Sequence, residues 1–176
     1  ANPGYSNIIV STIEALKDNP DILKELLNSN KNHQRTFLHW AAENGKAEII
    51  NKTVEFLIDE HNDILTELLN RKSSDKNTFL HYAAYIGNVE IIEETIETLK
   101  RDPEILKNML MARDGDKNTF LHNAAKNTFG GHNEIINTAI QSLKDDHNDL
   151  LIELLNLKDN EGQSVIDMVP NIDNLK

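Results

Sequence analysis

Cysteine is absent from the 176-residue chain. Disulfide stapling and thiol catalysis are therefore excluded, and the composition fits a reducing compartment. Aromatic residues make up only 5% of the chain, so a core has to be assembled mainly from Ile, Leu and Ala. Basic residues number 18 against 29 acidic ones, a net charge of −11. A surface that grips phosphates needs Lys and Arg, so the balance argues against duplex DNA, RNA or anionic lipid as the main ligand. An acidic surface favours solubility and steers basic partners. No apolar run approaches the roughly 20 residues of a membrane span. The start, Ala1-Asn2-Pro3-Gly4-Tyr5, has neither the basic nor the apolar region of a secretory signal. It also lacks an initiator Met, as expected of a processed chain or one cut from a longer polypeptide. Without a signal peptide, the sequon Asn51-Lys52-Thr53 reads as chance.

What is present is a repeated word. Thr36-Phe37-Leu38-His39-Trp40-Ala41-Ala42 recurs as Thr78-Phe79-Leu80-His81-Tyr82-Ala83-Ala84 and again as Thr119-Phe120-Leu121-His122-Asn123-Ala124-Ala125, at steps of 42 and 41 residues. Each copy leads to Glu-Ile-Ile, at Glu48, Glu90 and Glu134, the last delayed by the three residues Thr128-Phe129-Gly130. Self-similarity at a fixed period marks a stack of repeated units, each burying its apolar face against its neighbour.

Each full unit reads as three helical pieces. One starts at the Thr (36–44, 78–86, 119–127), one at the Glu-Ile-Ile (48–59, 90–101, 134–145), and a short third piece follows (63–70, 103–111, 149–156). The polar segments 29–35, 71–77, 112–118 and 157–163 read as exposed turns or hairpins. Residues 7–28 look like a unit without its first helix. Ile8, Ile9, Thr12, Ile13 and Leu16 share one helix face. Asn19-Pro20-Asp21 then breaks and restarts the helix, and Ile22, Leu23, Leu26 and Leu27 form the next stripe. At the other end Ser164-Val165-Ile166-Asp167 stands where Thr-Phe-Leu-His stood, and Pro170 stops the helix. A decayed last unit suits either a cap or a trimmed end.

The Thr-x-Leu-His-x-Ala-Ala word with the following Glu-Ile-Ile resembles the ankyrin repeat, over roughly residues 7–169. The resemblance implies an all-α helical solenoid with hairpin or turn connections and an extra short helix per repeat. It implies a single domain spanning 1–176, with a partial repeat at 7–35, full repeats at 36–77, 78–118 and 119–163, and a partial capping repeat at 164–176. It implies that each Thr starts its first helix, that His39, His81 and His122 tie that helix to the neighbouring loop, and that the Ala pairs let helices approach closely. Two departures stand out. Phe37, Phe79 and Phe120 replace the family's Pro, trading a preset helix start for a buried aromatic. The period is about 42 residues against the usual 33, so the added helix thickens the convex side or changes the curvature. Long irregular repeats of this kind are similar to those of host-directed proteins of intracellular bacteria, and abundant Asn, Lys and Ile suit an AT-rich genome. Phe at the Pro position is similar to one repeat of the inhibitors of Rel-type transcription factors.

Catalytic and metal chemistry finds little support. His39, His81 and His122 fall one per layer, and helices pack about 8–10 Å apart, too far to share a metal held at about 2 Å. His33, His61, His132 and His147 show no ligand spacing and read as solvated surface residues. Asp114-x-Asp116-x-Asn118 begins like a calcium loop, but Thr119 and Ala125 stand where Gly and Glu are required, so a hairpin tip is expected. Asp145-Asp146-His147-Asn148-Asp149 reads as a solvated charge run, with Asp149 complementing the start of a helix. No nucleophile elbow, phosphate loop or zinc-protease helix motif occurs.

The expected function is therefore non-enzymatic. The resemblance implies a protein–protein interaction module, monomeric and cofactor-free, working in the cytoplasm or delivered to a host cytosol, with no nucleic-acid or membrane partner. A targeting domain of a larger enzyme and an inhibitor of Rel-type factors are the alternatives. In such solenoids the contact face is built from the hairpin tips and from the residues after the Ala pair. On this chain the candidates are Trp40, Glu43, Asn44, Asp75, Asn77, Tyr82, Tyr85, Ile86, Asp116, Asn118, Lys126 and Asn127, with His33, Arg35, Glu161 and Gln163 beside them. Trp40 and Tyr82 are open to two readings, packing between repeats or aromatic anchors. The insertion Thr128-Phe129-Gly130 lengthens one loop and exposes Phe129, and is open to two readings, a binding feature or simply a tolerated loop.

Overall fold

The computed structural model describes residues 4–28, 34–127 and 132–169. The expectations placed on His33, on the Thr128–Phe129–Gly130 insertion and on Pro170 lie outside them. The described residues form α1 (Gly4–Ala15), α2 (Pro20–Asn28), α3 (Phe37–Glu43), α4 (Ala47–Glu60), α5 (Asn62–Asn70), α6 (Phe79–Ile86), α7 (Val89–Leu99), α8 (Pro103–Leu110), α9 (Phe120–Lys126), α10 (His132–Leu143), α11 (Asn148–Asn156) and α12 (Val165–Met168). No strand occurs among them, and no helix is long and apolar enough to cross a membrane.

The helices stand in three columns. First helices α3, α6, α9 and α12 pack in sequence, as do second helices α1, α4, α7 and α10. Third helices α2, α5 and α8 follow one another in the same way, and a Lys107–Glu153 ion pair at 2.7 Å joins α8 to α11. The extra helix is thus separate from the second one. Its separation comes from local chemistry. The chain leaves helical geometry at His61 (φ −141°, ψ 52°) between α4 and α5. Before α8, Asp102 accepts hydrogen bonds from the Glu104 and Ile105 amides, at 3.2 and 3.1 Å, and Pro103 occupies the first helical position. Between α6 and α7 the chain turns at Gly87, whose φ of 76° is left-handed, and Asn88 caps α7 by accepting from the Ile91 amide at 3.0 Å.

The core repeats with the sequence. Leu38, Leu80 and Leu121 are buried at one level, and Ile49, Ile91 and Ile135 at another. Ala41, Ala42, Ala83, Ala84 and Ala124 are buried between neighbouring first helices, where a larger side chain would push the layers apart. Phe79 and Phe120 are buried as expected, whereas Phe37 is only half-buried.

The first layer corrects two other expectations. Ile8, although in phase with buried Ile13, is exposed, as are Ile22 and Leu26 of α2. Their counterparts Ile49, Ile64 and Leu68 are buried. The difference is one of neighbours. The later residues sit against a preceding layer and a first helix of their own, and α1 and α2 have neither among the described residues.

Candidate interaction surface

Each first helix opens with the same capping arrangement. Thr36, Thr78 and Thr119 are N-caps, and the His at the third helical position closes a capping box where Glu or Gln is usual. The Thr36 amide donates to His39 Nδ1 at 3.1 Å, the Thr78 amide to His81 Nδ1 at 3.3 Å and the Thr119 amide to His122 Nδ1 at 3.2 Å. An amide can only donate, so Nδ1 is unprotonated and Nε2 carries the hydrogen. Nε2 then donates into the next hairpin. His39 reaches the Asn77 carbonyl at 3.0 Å and His81 the Asn118 carbonyl at 3.0 Å, while His122 reaches the Leu157 and Gln163 carbonyls at 3.1 and 3.2 Å. Each ring is a neutral crosslink between layers. Burial pushes the His39 imidazole down from 6.5 to about 4, against the opposing effect of the Asn77 carbonyl. Burial likewise lowers His81 and His122. With both nitrogens engaged, these rings have no free site for proton transfer or metal binding.

Among the described residues no cluster of His, Asp and Glu is arranged to hold a metal ion. His61, read as a solvated residue, is half-buried instead; its Nε2 meets the Lys17 carbonyl at 3.1 Å and its ring lies 6.2 Å from that of Phe56.

The hairpins between layers share one geometry. The Ser73, Asp114 and Asp159 amides donate across the loop to the Asn77, Asn118 and Gln163 carbonyls, at 2.8, 2.9 and 2.9 Å. The fourth residue of each loop is left-handed, with φ of 62° at Lys76, 61° at Lys117 and 76° at Gly162. Asp114 turns its carboxylate into its own loop. Its Oδ1 accepts from the Asp116 and Asn118 amides, both at 2.9 Å, and Asp159 repeats the pattern with Glu161 and Gln163. A second crosslink between hairpins was not anticipated. Lys72 donates to the Arg113 carbonyl at 2.8 Å, and Arg113 in turn donates to the Lys158 carbonyl. The recurrence of a basic residue at the same place in each loop was the available signal.

On the first helices the predicted contact residues form a grid. Trp40, Tyr82 and Asn123 hold equivalent places in successive layers, as do Glu43, Tyr85 and Lys126, and Asn44, Ile86 and Asn127. Tyr85 is 66% exposed, Trp40 46% and Ile86 39%. Tyr82 is half-buried and packs between repeats. Its ring meets His39 edge-on at 5.7 Å, the Arg35 guanidinium lies 4.5 Å over its face, and its hydroxyl donates to Ser73 Oγ at 3.4 Å.

The polar members are tied inward. Glu43 pairs with Arg35 at 2.6 Å. Lys126 pairs with Asp159 at 2.8 Å and donates to Asn118 Oδ1 at 2.7 Å. That ammonium, with the amides of Gln163 and Glu161, holds the Asp159 carboxyl at about 2. Asn44 donates to the Trp40 carbonyl at 2.9 Å, and Asn127 to the Tyr85 carbonyl at 2.7 Å. Asn118 departs from the expected exposed position. It is buried and bonded to Asp114 and Lys126, because its side chain fills the angle between hairpin and helix. Asn77 is half-buried, with its carbonyl engaged by His39. Asp75 and Asp116 stand exposed at the tips.

Three-column layers, crosslinked by a buried His and closed by hairpins, define a repeat solenoid. The sequence matches ankyrin repeats in three copies, over residues 12–98 and 51–151, and the chain belongs to the ankyrin-repeat family. No curated protein matches it.

Proposed function

We propose that the chain is a protein-binding module that engages its partner on the first-helix face, with Tyr85, Ile86 and Trp40 as anchors. The observation that carries this reading is the exposure of three large apolar side chains on one face whose neighbouring charges, Glu43 and Lys126, are already paired internally. Covering this face leaves neither charge without a partner, which avoids the larger penalty of burying an unpaired one. Aromatic anchors ringed by polar groups are the usual composition of binding hot spots. Ankyrin repeats in general serve protein–protein recognition and carry no catalytic machinery of their own. A role as an inhibitor of Rel-type factors gains nothing from the Phe in the family's Pro position, since Phe79 and Phe120 are buried and cannot meet a partner.

The test is a Tyr85→Ala/Ile86→Ala double variant, first checked for native helicity. Its captured proteins are then compared quantitatively with those of the unaltered chain. Loss of the main captured species is expected. An unchanged capture profile would remove this face from consideration.

A further inference from the structure

The two ends of the stack break a rule of solenoids. An end layer has no neighbour on one side, so its outer face is expected to be polar. Here both outer faces carry apolar residues. In the first layer Ile8, Ile22 and Leu26 are exposed where Ile91, Ile105 and Met109 are buried. In the last, Ile166 of α12 is 37% exposed, although Leu38, Leu80 and Leu121 hold the same place in the repeated word and are fully buried. Ile152 of α11 is the sharper case. Its counterparts in the other third helices are Lys24, Thr66 and Lys107. Lys24 and Lys107 reach forward into the following layer, pairing with Glu67 and Glu153 at 2.7 Å each. Residue 152 therefore faces outward from the last layer, and the one apolar member of the series stands exposed there.

What one end lacks, the other holds. Among the described residues the first layer has a second helix, α1, and a third, α2, with no first helix before them. The last layer has a first helix, α12, with no second or third helix after it. In the interior each first helix packs on the second helix of its own layer, and each layer on the one before. Set beside α1 and α2 of another copy, α12 completes one three-helix layer. Ile166 then gains the second helix it lacks, and Ile8 the first helix. Trp40 gains cover as well. Its counterpart Tyr82 is half-buried because it meets His39 and Arg35 of the preceding layer. In the joined layer Asp167 and Gln163 hold those two places.

We infer that this chain binds a second copy of itself end to end, the α1–α2 face of one against the α11–α12 face of the other. The contact continues the layer-to-layer packing already present within the chain. Its two sides differ, so copies add in a row instead of pairing about a twofold axis. At its rim Glu25 stands across from Ile152, as Glu67 stands across from Lys24. Glu25 has no ion-pair partner among the described residues. The net charge of −11 on each copy opposes the contact, which therefore tightens as salt rises. Tyr85 and Ile86 lie one layer further in, outside the junction, so this contact goes beyond the partner face proposed above.

Sedimentation velocity of the full chain, from micromolar to millimolar concentration at physiological salt, tests it. The average mass is expected to rise past twice the 20.0 kDa of one chain. Ile22→Glu/Leu26→Glu closes the first face and Ile152→Glu the second. All three residues are exposed, so helical circular dichroism should not change. Each variant alone is expected to associate about tenfold more weakly, or less still. Mixed in equal amounts, the two variants retain one intact junction between them, so they should form a 1:1 pair and stop there. The sole tryptophan, Trp40, should shift its emission to shorter wavelength in the mixture and in neither variant alone. Ile152→Lys sets a base across from Glu25 and should leave association intact or tighten it. An unaltered chain that stays monomeric up to millimolar concentration overturns the inference, as does a variant mixture that fails to pair. Self-pairing by the Ile152→Glu variant alone would show like faces in contact and refute the end-to-end arrangement. A loss with Ile152→Lys as large as with Ile152→Glu refutes the register that places Glu25 opposite.

Discussion

Acidification below about 6.5 should loosen this protein through its buried histidines. Each of His39, His81 and His122 is neutral by construction, because its Nδ1 accepts an amide hydrogen and its Nε2 donates to a carbonyl of the next hairpin. In the unfolded chain an imidazole takes up a proton near 6.5. In the folded chain His39 resists until about 4. Between those values the unfolded state binds more protons, so stability rises with pH there. The stabilisation is complete above about 6.5 and is lost as pH falls toward 4. At about 1.4 kcal/mol per tenfold in proton affinity, His39 alone accounts for roughly 3 kcal/mol. His81 and His122 act in the same direction. That is a large part of the roughly 5–15 kcal/mol that holds a typical domain together. Asp159, held at about 2 by Lys126, loses its contribution only below its ordinary 3.8. Glu94 has the opposite sign, since burial and the charges of Glu90, Glu55 and Glu93 raise it, and protonating it favours the folded state. Urea midpoints followed by far-UV circular dichroism at pH 7, 6, 5 and 4 measure the effect. His39→Gln preserves a hydrogen-bonding group at the third helical position and cannot titrate, so its midpoint should fall less steeply over this range. A wild-type midpoint that stays level from pH 7 to 4.5, or a variant that falls as steeply as wild type, would refute the reasoning.

Three further substitutions probe the scaffold. Phe79→Ala should destabilise by about 3–5 kcal/mol, because the ring is fully buried between layers, and thermal unfolding will report it. Gly87→Ala forces an L side chain to a φ of 76° and should cost about 1 kcal/mol, seen as a lowered urea midpoint with binding unchanged. Asp102→Ala removes the cap from the Glu104 and Ile105 amides and should cost about 1 kcal/mol; amide exchange should accelerate first in α8.

Much of the fold was written in short-range pattern. The Thr-Phe-Leu-His word names its own cap, its capping partner and its buried face, because those contacts lie within one helical turn. Asp102-Pro103 likewise marks the start of α8 by local chemistry. The candidate face was harder to read. Trp40 and Tyr82 share a motif position, yet Tyr82 is half-buried under Arg35 beside His39 while Trp40 is exposed. The difference lies in which layer precedes each, a relation no window of sequence contains. Asn118 and Asp116 are two residues apart in one tip, and only the neighbouring Lys126 and Asp114 draw the first of them inward. The same limit explains Ile8, Ile22 and Leu26. Their periodicity is that of a buried stripe, and burial needs a neighbour to supply the other side.

By itself the sequence determined that the chain is a stack of three-helix layers, because period, caps and breakers are set by residues within one unit and are repeated three times. The resemblance implied too that His39, His81 and His122 would each tie a first helix to a neighbouring loop. The tertiary structure alone decided which exposed residues share a face and which charges are cancelled before any partner arrives. Those properties depend on distances between layers some 42 residues apart, and it is packing, which sets those distances, that brings the residues together.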